Sequence, residues 1–160
     1  MKKIKLNAQF IIFDSQDELS EVDNNLMKSA QKAISNAYAP YSHFQVGAAV
    51  LLENGNIVIG NNQENAAYPS GMCAERVAIW SAASRFPNLK VKKIAISVRS
   101  NIKEVTKPVA PCGACRQTLL EYETKQKEPI EIFFMGETGH VIKTNSLADL
   151  LPFAFDESYL

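Results

Sequence analysis

Nothing in this 160-residue chain is apolar for long enough to cross a bilayer. The nearest approach, Ile4 to Phe13, is broken by Asn7 and Gln9 and halted by Asp14. Lys2 and Lys3 precede it and Lys5 lies within it, and it makes a poor secretory signal and is too short for a span. Excess charge is missing as well. The 17 basic side chains are matched by 17 acidic ones, with no long run of one sign, so the chain lacks the electrostatic footprint of a polynucleotide or anionic-membrane binder. Cysteine is scarce and odd in number, at three. That excludes a disulfide scaffold, and with two of the three spaced C-x-x-C it favours a reducing compartment and metal or redox chemistry. Repeats, low-complexity tracts and interdomain linkers are absent. The expectation is one cytoplasmic domain over residues 1–160, with 1–16 as an N-terminal extension. A domain of this size buries roughly 68–70% of the surface its unfolded chain exposes, so it needs no covalent staple.

What is present alternates between strand and helix patterns. Ile4 to Phe13, rich in β-branched and aromatic residues, reads as an added edge strand. Ser15-Gln16-Asp17-Glu18 has the form of a capping box ahead of Leu19, Val22, Leu26, Ala30, Ala33 and Ala37, which predicts a helix from Asp17 to Tyr38, stopped by Pro40. Gln45 to Glu53 and Asn56 to Asn61 are β-rich runs joined by Asn54-Gly55, a tight hairpin turn. Cys73 to Arg85 and Cys112 to Glu123 read as helices. Lys93 to Val98, Ile130 to Met135 and Val141 to Lys143 read as strands, with a helical turn near Ser146 to Leu150. This alternation predicts a layered α/β sandwich. Only Gly136 to His140 joins the last two strands, and a parallel crossover needs about a dozen residues or more, so that pair is expected to be antiparallel.

All three cysteines sit where predicted helices begin. The free N–H groups and partial positive charge at a helix N-terminus lower a thiol pKa, and zinc binds the thiolate. Cys112 and Cys115, three apart, share a helical face and can grip one ion. With Cys73 they make a three-sulfur tetrahedral zinc site that leaves one corner for water, and Glu75 stands two residues from the first ligand as a proton shuttle. Three thiolates and Zn²⁺ leave one net negative charge, which Arg76 is placed to offset by hydrogen bonds to sulfur. Two rivals stand beside this reading. One is a C-x-x-C redox pair, although Pro111-Cys112-Gly113-Ala114-Cys115 lacks a thioredoxin-like context. The other is a closed structural zinc site completed by His43 or His140, in which Glu75 would have no purpose.

Cys73-Ala74-Glu75-Arg76 followed by Pro111-Cys112-Gly113-Ala114-Cys115-Arg116-Gln117 resembles the cytidine deaminases, in their small three-cysteine, homo-oligomeric branch. The resemblance runs from about Asp17 to Phe155. It includes Ala39 to Ala49 (the family's first-strand motif), Asn62 to Tyr68 (its ribose-binding segment) and Leu150 to Phe155 (its Leu-Leu-Pro-x-x-Phe element). It implies a three-layer α/β/α sandwich with a mixed sheet, one zinc per chain, a small nucleoside as substrate and a homo-oligomer, a tetramer by preference. It further implies that Cys73, Cys112 and Cys115 hold the metal and Glu75 is the general acid/base. Phe44 would face the pyrimidine, and Asn62 and Glu64 would bind the ribose 3′-hydroxyl. The Ala74 N–H would hold the pyrimidine O2, and the Ala110 carbonyl would receive the exocyclic amine. Phe155 would stack on the base of a neighbouring subunit, with Tyr68 near the 5′-hydroxyl. Phe153 stands where the family commonly has a small residue, which leaves two aromatic candidates for that stacking role. The resemblance disfavours polynucleotide deaminases, which generally place a helix between the last two strands, and drug-nucleoside deaminases, which the Asn62 and Glu64 pair speaks against.

Overall fold

A computed structural model describes residues 1–160. Six strands form one mixed sheet: β1 (Phe10–Phe13), β2 (Phe44–Leu52), β3 (Ile57–Asn61), β4 (Val91–Ser100), β5 (Glu131–Met135) and β6 (Val141–Thr144). Their spatial order is β1-β6-β5-β4-β2-β3. Three helices cover it: α1 (Glu21–Ala33), α2 (Ala74–Arg85) and α3 (Gly113–Gln126). Only β4 and β5 run parallel; the other neighbours are antiparallel, including β5 and β6. No helix is long and apolar enough to cross a membrane.

The period-two alternation of the strands sorts their side chains into two cores. Ala48, Val50, Ile94, Ile96, Ile132 and Phe134 pack with Ala78, Ile79, Leu119 and Leu120 of α2 and α3. Ala49, Ala95, Phe133 and Met135, one position out of phase, pack with Leu26, Met27 and Ala30 of α1. The result is helix, sheet, helix, the three layers expected. Burying each such aliphatic or aromatic side chain stabilises the fold by roughly 1.5–3 kcal/mol. Where α1 crosses β2, Gly47 has no room for a side chain: a Cβ there would lie 2.0 Å from the Ala30 carbonyl oxygen.

Several boundaries differ from the sequence reading. The long helix from Asp17 to Tyr38 is three pieces. Ser15 caps a 3-10 turn at Gln16–Glu18, and Leu19 is extended, with ψ 151°. Ser20 then opens α1, its hydroxyl accepting from the Asp23 N–H at 3.2 Å and donating to the Asp23 carboxylate at 2.8 Å. The α-helix therefore starts from a second cap five residues along, while the first caps only the short turn. At the far end α1 tightens into a 3-10 turn, Ile34–Asn36, and Tyr38 is already extended, paired with Gln63. The edge strand is confined to Phe10–Phe13, the residues that find partners on β6. β4 is longer than expected because both its ends pair with β2, Phe44 opposite Ser100 and Leu52 opposite Val91. Asn54-Gly55 does turn the β2–β3 hairpin, with Gly55 at φ +86°. The five residues from Gly136 to His140 turn the β5–β6 hairpin, with Gly139 at φ +89°.

Candidate active site

The parallel pair β4 and β5 and the helix starts of α2 and α3 bring the two cysteine motifs together. Cys73 is the N-cap of α2 and Cys112 the N-cap of α3, both extended in backbone. Cys115 lies one turn inside α3 and is fully buried. The three Sγ atoms lie within 4.8 Å of one another. Cys73 and Cys112 are 4.0 Å apart and Cys112 and Cys115 3.5 Å. A tetrahedral zinc with about 2.3 Å bonds to sulfur sets its ligands about 3.8 Å apart, so this trio fits the ion. Neither His43 nor His140 belongs to the cluster, which leaves the fourth corner without a protein ligand.

The electrostatics suit an anionic metal site. A hydrogen bond from the Cys115 thiol pulls the Cys73 pKa down to about 5 against the cost of its burial, with help from the Arg76 guanidinium. Cys115 is pushed up in turn, since it donates to Cys73 and is itself buried. Zinc, by supplying positive charge, removes this asymmetry and favours all three thiolates. Arg76 Nη2 sits 3.5 Å from the Cys73 sulfur, and its guanidinium lies 5.9 Å from the Trp80 ring centroid. Its Nε is buried without a hydrogen-bond partner, a donor left beside sulfurs whose charge rises when metal binds. Glu75 is 5% exposed. Burial pushes its carboxyl above the usual carboxylate range, and the negative charge on Cys73 adds to that.

Beside the cluster opens a cavity of about 510 Å³. Cys73, Cys112, Glu75 and Arg76 line one side, and Val46, Ile96, Val98, Val109 and Ala110 give it apolar walls. Asn62, Glu64 and Tyr68 line it as well. Asn62 is locked by β2: its Oδ1 accepts from the Val46 N–H at 2.8 Å and its Nδ2 donates to the Phe44 carbonyl at 2.9 Å. One amide hydrogen and one lone pair remain free to face the cavity. Glu64 accepts from the N–H groups of Tyr41 (2.9 Å) and Ser42 (3.3 Å) and from the Ser42 hydroxyl. Burial raises its pKa, but these bonds outweigh that and hold the carboxyl below its ordinary value.

Two of the residues singled out from the sequence stand apart. Phe44 begins β2 on the same face as Val46 but is not among the cavity-lining residues. Phe155 is 58% exposed, stacked on Tyr159 at 5.6 Å, and equally outside the lining. Ala74 is buried in the first turn of α2, where its N–H has no intrahelical acceptor. Conversely, Tyr41 and Ser42 hold Glu64 and line the cavity without having been expected among the site residues. Their place within the Ala39 to Ala49 motif is the only sequence signal that points to them.

Comparison with known proteins agrees with this arrangement. Residues 20–127 match the family model described as the cytidine and deoxycytidylate deaminase zinc-binding region. A cytidine deaminase of Halalkalibacterium halodurans is 40% identical over 133 residues, covering 81% of this chain and 91% of that protein. One from Sporosarcina psychrophila is 38% identical over 135 residues, or 84% and 92% of the two chains. The crystal structure of cytidine deaminase from Burkholderia pseudomallei superposes with a TM-score of 0.72 at 37% identity, covering 86% of this chain and all of that one. That from Mycobacterium tuberculosis gives 0.63 at 32% identity, covering 82% and 95%. A shared motif, a shared fold and coverage of more than four-fifths of each chain lead to one conclusion: the chain belongs to the cytidine deaminase family.

Proposed function

We propose that this protein is a zinc-dependent cytidine deaminase. It hydrolyses the exocyclic C–N bond of cytidine and deoxycytidine to give uridine or deoxyuridine and ammonia, a reaction of pyrimidine salvage. The observation that carries the reading is the buried Glu75 carboxylate beside three convergent thiols at one wall of a nucleoside-sized cavity.

Cys73, Cys112 and Cys115 hold the zinc. When bound, the ion supplies Lewis-acid activation of water, making a nucleophile available near neutral pH. Everything else falls to the chain. Glu75 accepts a proton from the attacking water and delivers it to N3 of the pyrimidine, so that the C4 carbon can take the oxygen without building up charge on the ring. It then carries the second water proton to the amino group, which departs as ammonia. A carboxyl raised by burial is suited to both directions of transfer, and such shuttling contributes about 10²–10⁴-fold. Arg76 offsets the excess thiolate charge. The Ala74 N–H donates to the pyrimidine O2, and the Ala110 carbonyl accepts from the amine. Asn62 and Glu64, immobilised by their backbone bonds, use their remaining capacity on the ribose 3′-hydroxyl. Val46, Ile96 and Val98 support the ring, with Phe44 beyond them on the same face and Tyr68 toward the 5′-hydroxyl.

The same reading takes the chain as one domain with 1–16 appended, working in the cytoplasm as a homo-oligomer, a tetramer by preference. Phe155 then stacks on the base held by a neighbouring subunit. Its exposure and its absence from its own cavity support that assignment. Release of ammonia from cytidine tests the function. Activity should vanish on chelation and return with one zinc per chain. Zinc-loaded protein that releases no ammonia from cytidine or deoxycytidine would overturn it.

A further inference from the structure

Strand β1 is an exposed apolar edge of the sheet. It ends the sheet and hydrogen-bonds on one side only, to β6. Its residues Phe10-Ile11-Ile12-Phe13 include no charge, proline or glycine, devices that ordinarily keep a sheet edge from pairing with another chain. Phe10, Ile11 and Ile12 are 43%, 39% and 63% exposed. The strand precedes residue 20, where the family match begins, and contributes nothing to the cavity.

We propose that β1 pairs antiparallel with β1 of a second copy across a two-fold axis, joining two six-stranded sheets into one. The symmetry limits the register. An axis relating antiparallel neighbours stands perpendicular to the sheet, so opposed residues share a face and their numbers sum to an even value. Centring the pair on Ile12 would set Asp14 against the apolar Phe10 of the second copy. Centring it on Ile11 sets Phe10 opposite Ile12, covering both exposed side chains on the α2–α3 face, and stacks Ile11 against its own equivalent on the α1 face. Charge favours the same partner. Antiparallel approach carries Lys2, Lys3 and Lys5, which precede β1 in each copy, toward the Asp14, Asp17 and Glu18 that follow β1 in the other. The edge thus presents backbone hydrogen-bonding groups, apolar cover and opposite charges, all complementary to itself.

The zinc-loaded full-length protein tests this through mass and cross-linking. Ile11→Lys places a charge at the centre of the pair, and its assemblies should have about half the mass of the parent's by sedimentation equilibrium. Circular dichroism of that variant should match the parent, because Ile11 lies outside the packed cores. Opposed residues have Cα atoms about 4.5–5.5 Å apart, within disulfide reach. Ile11→Cys should therefore form a covalent dimer under mild oxidation, whereas Ile12→Cys, offset from its equivalent, should not. Unchanged mass for Ile11→Lys, or cross-linking at Ile12 and not Ile11, would overturn the proposal. So would concentration-independent protection of those amides of residues 10–13 that point away from β6, since β6 protects only the ones facing it and the chain's own N-terminal residues would then cover the edge.

Discussion

Glu64 shows how a single residue is committed before substrate arrives. Three hydrogen bonds from Tyr41 and Ser42 fix its carboxylate, leaving roughly one of its four acceptor positions free. Asn62 is similarly half-used by the backbone of Phe44 and Val46. Two rigid polar groups facing a largely apolar cavity are selective because leaving them unpaired costs about 1–3 kcal/mol. Removal of the 3′-hydroxyl should therefore lower kcat/KM by about 10–100-fold, and removal of the 2′-hydroxyl far less. Comparison of cytidine with its 3′-deoxy and 2′-deoxy analogues checks this. Equal efficiency on cytidine and 3′-deoxycytidine would contradict it. The convergence of the three cysteines beside Glu75 was legible in the sequence because three cysteines at helix starts, two of them spaced C-x-x-C, suit metal binding better than any rival chemistry. The ties that orient Glu64 were not, since they depend on a turn 22 and 23 residues away that no local pattern encodes.

At the scale of elements, the pairing of β4, β5 and β6 beneath α1 is held by more than apolar packing. Lys93 donates a hydrogen bond to the Asp23 carboxylate at 2.6 Å and forms an ion pair with Glu131 at 3.0 Å, and Lys143 donates to Glu131 at 2.7 Å. Lys93 and Lys143 also lie 5.7 Å and 5.4 Å from the centroid of the buried Phe133 ring. Burial raises the Glu131 pKa, but the two lysines outweigh it and leave the carboxyl below its ordinary value. Burial lowers that of Lys93, yet Asp23 and Glu131 leave it raised. A depressed carboxyl stabilises the fold above its unfolded pKa and ceases to do so as pH falls through the folded one. A raised lysine contributes below its unfolded pKa and stops as pH climbs through the folded one. The network should thus act from about pH 5 to pH 10. Glu131→Gln should lower stability by about 1 kcal/mol at neutral pH, allowing for solvent screening. In thermal melts that difference should shrink below about pH 4; a constant difference down to about pH 3 would rule out the ionic contribution. Strand identities and the antiparallel close of the sheet could be read from alternation and loop length. The break in the helix expected from Asp17 to Tyr38 could not, because the Ser15 capping pattern reads as a helix start, whereas in the fold it caps only a 3-10 turn and Ser20 opens α1.

For the whole molecule, the N-cap geometry of α2 and α3 brings two distant sequence motifs together at one wall of the cavity, and on the proposed reading the C-terminal residues extend the site beyond one chain. Leu151 and Ala154 pack on the core, and between them Phe153 adopts φ +54°, leaving its own ring and that of Phe155 facing outward. A shared site predicts complementation. Mixed oligomers of Phe155→Ala and Glu75→Gln chains should be more active than either variant alone, because one chain brings an intact proton shuttle and its neighbour an intact ring. Loss of that ring should cost on the order of 1–3 kcal/mol, as aromatic–base stacking does elsewhere. No recovery after verified subunit exchange would exclude sharing through Phe155. The central claim, that a buried carboxylate moves protons beside a three-thiolate zinc centre, is tested most directly by the turnover of Glu75→Gln at matched zinc content. An amide hydrogen-bonds but relays no proton, so this variant should keep one zinc per chain, with three sulfurs at about 2.3 Å in its X-ray absorption spectrum. It should still bind cytidine while losing at least about 10²-fold in kcat. Turnover within about tenfold of the parent, with the zinc complement intact, would contradict that claim.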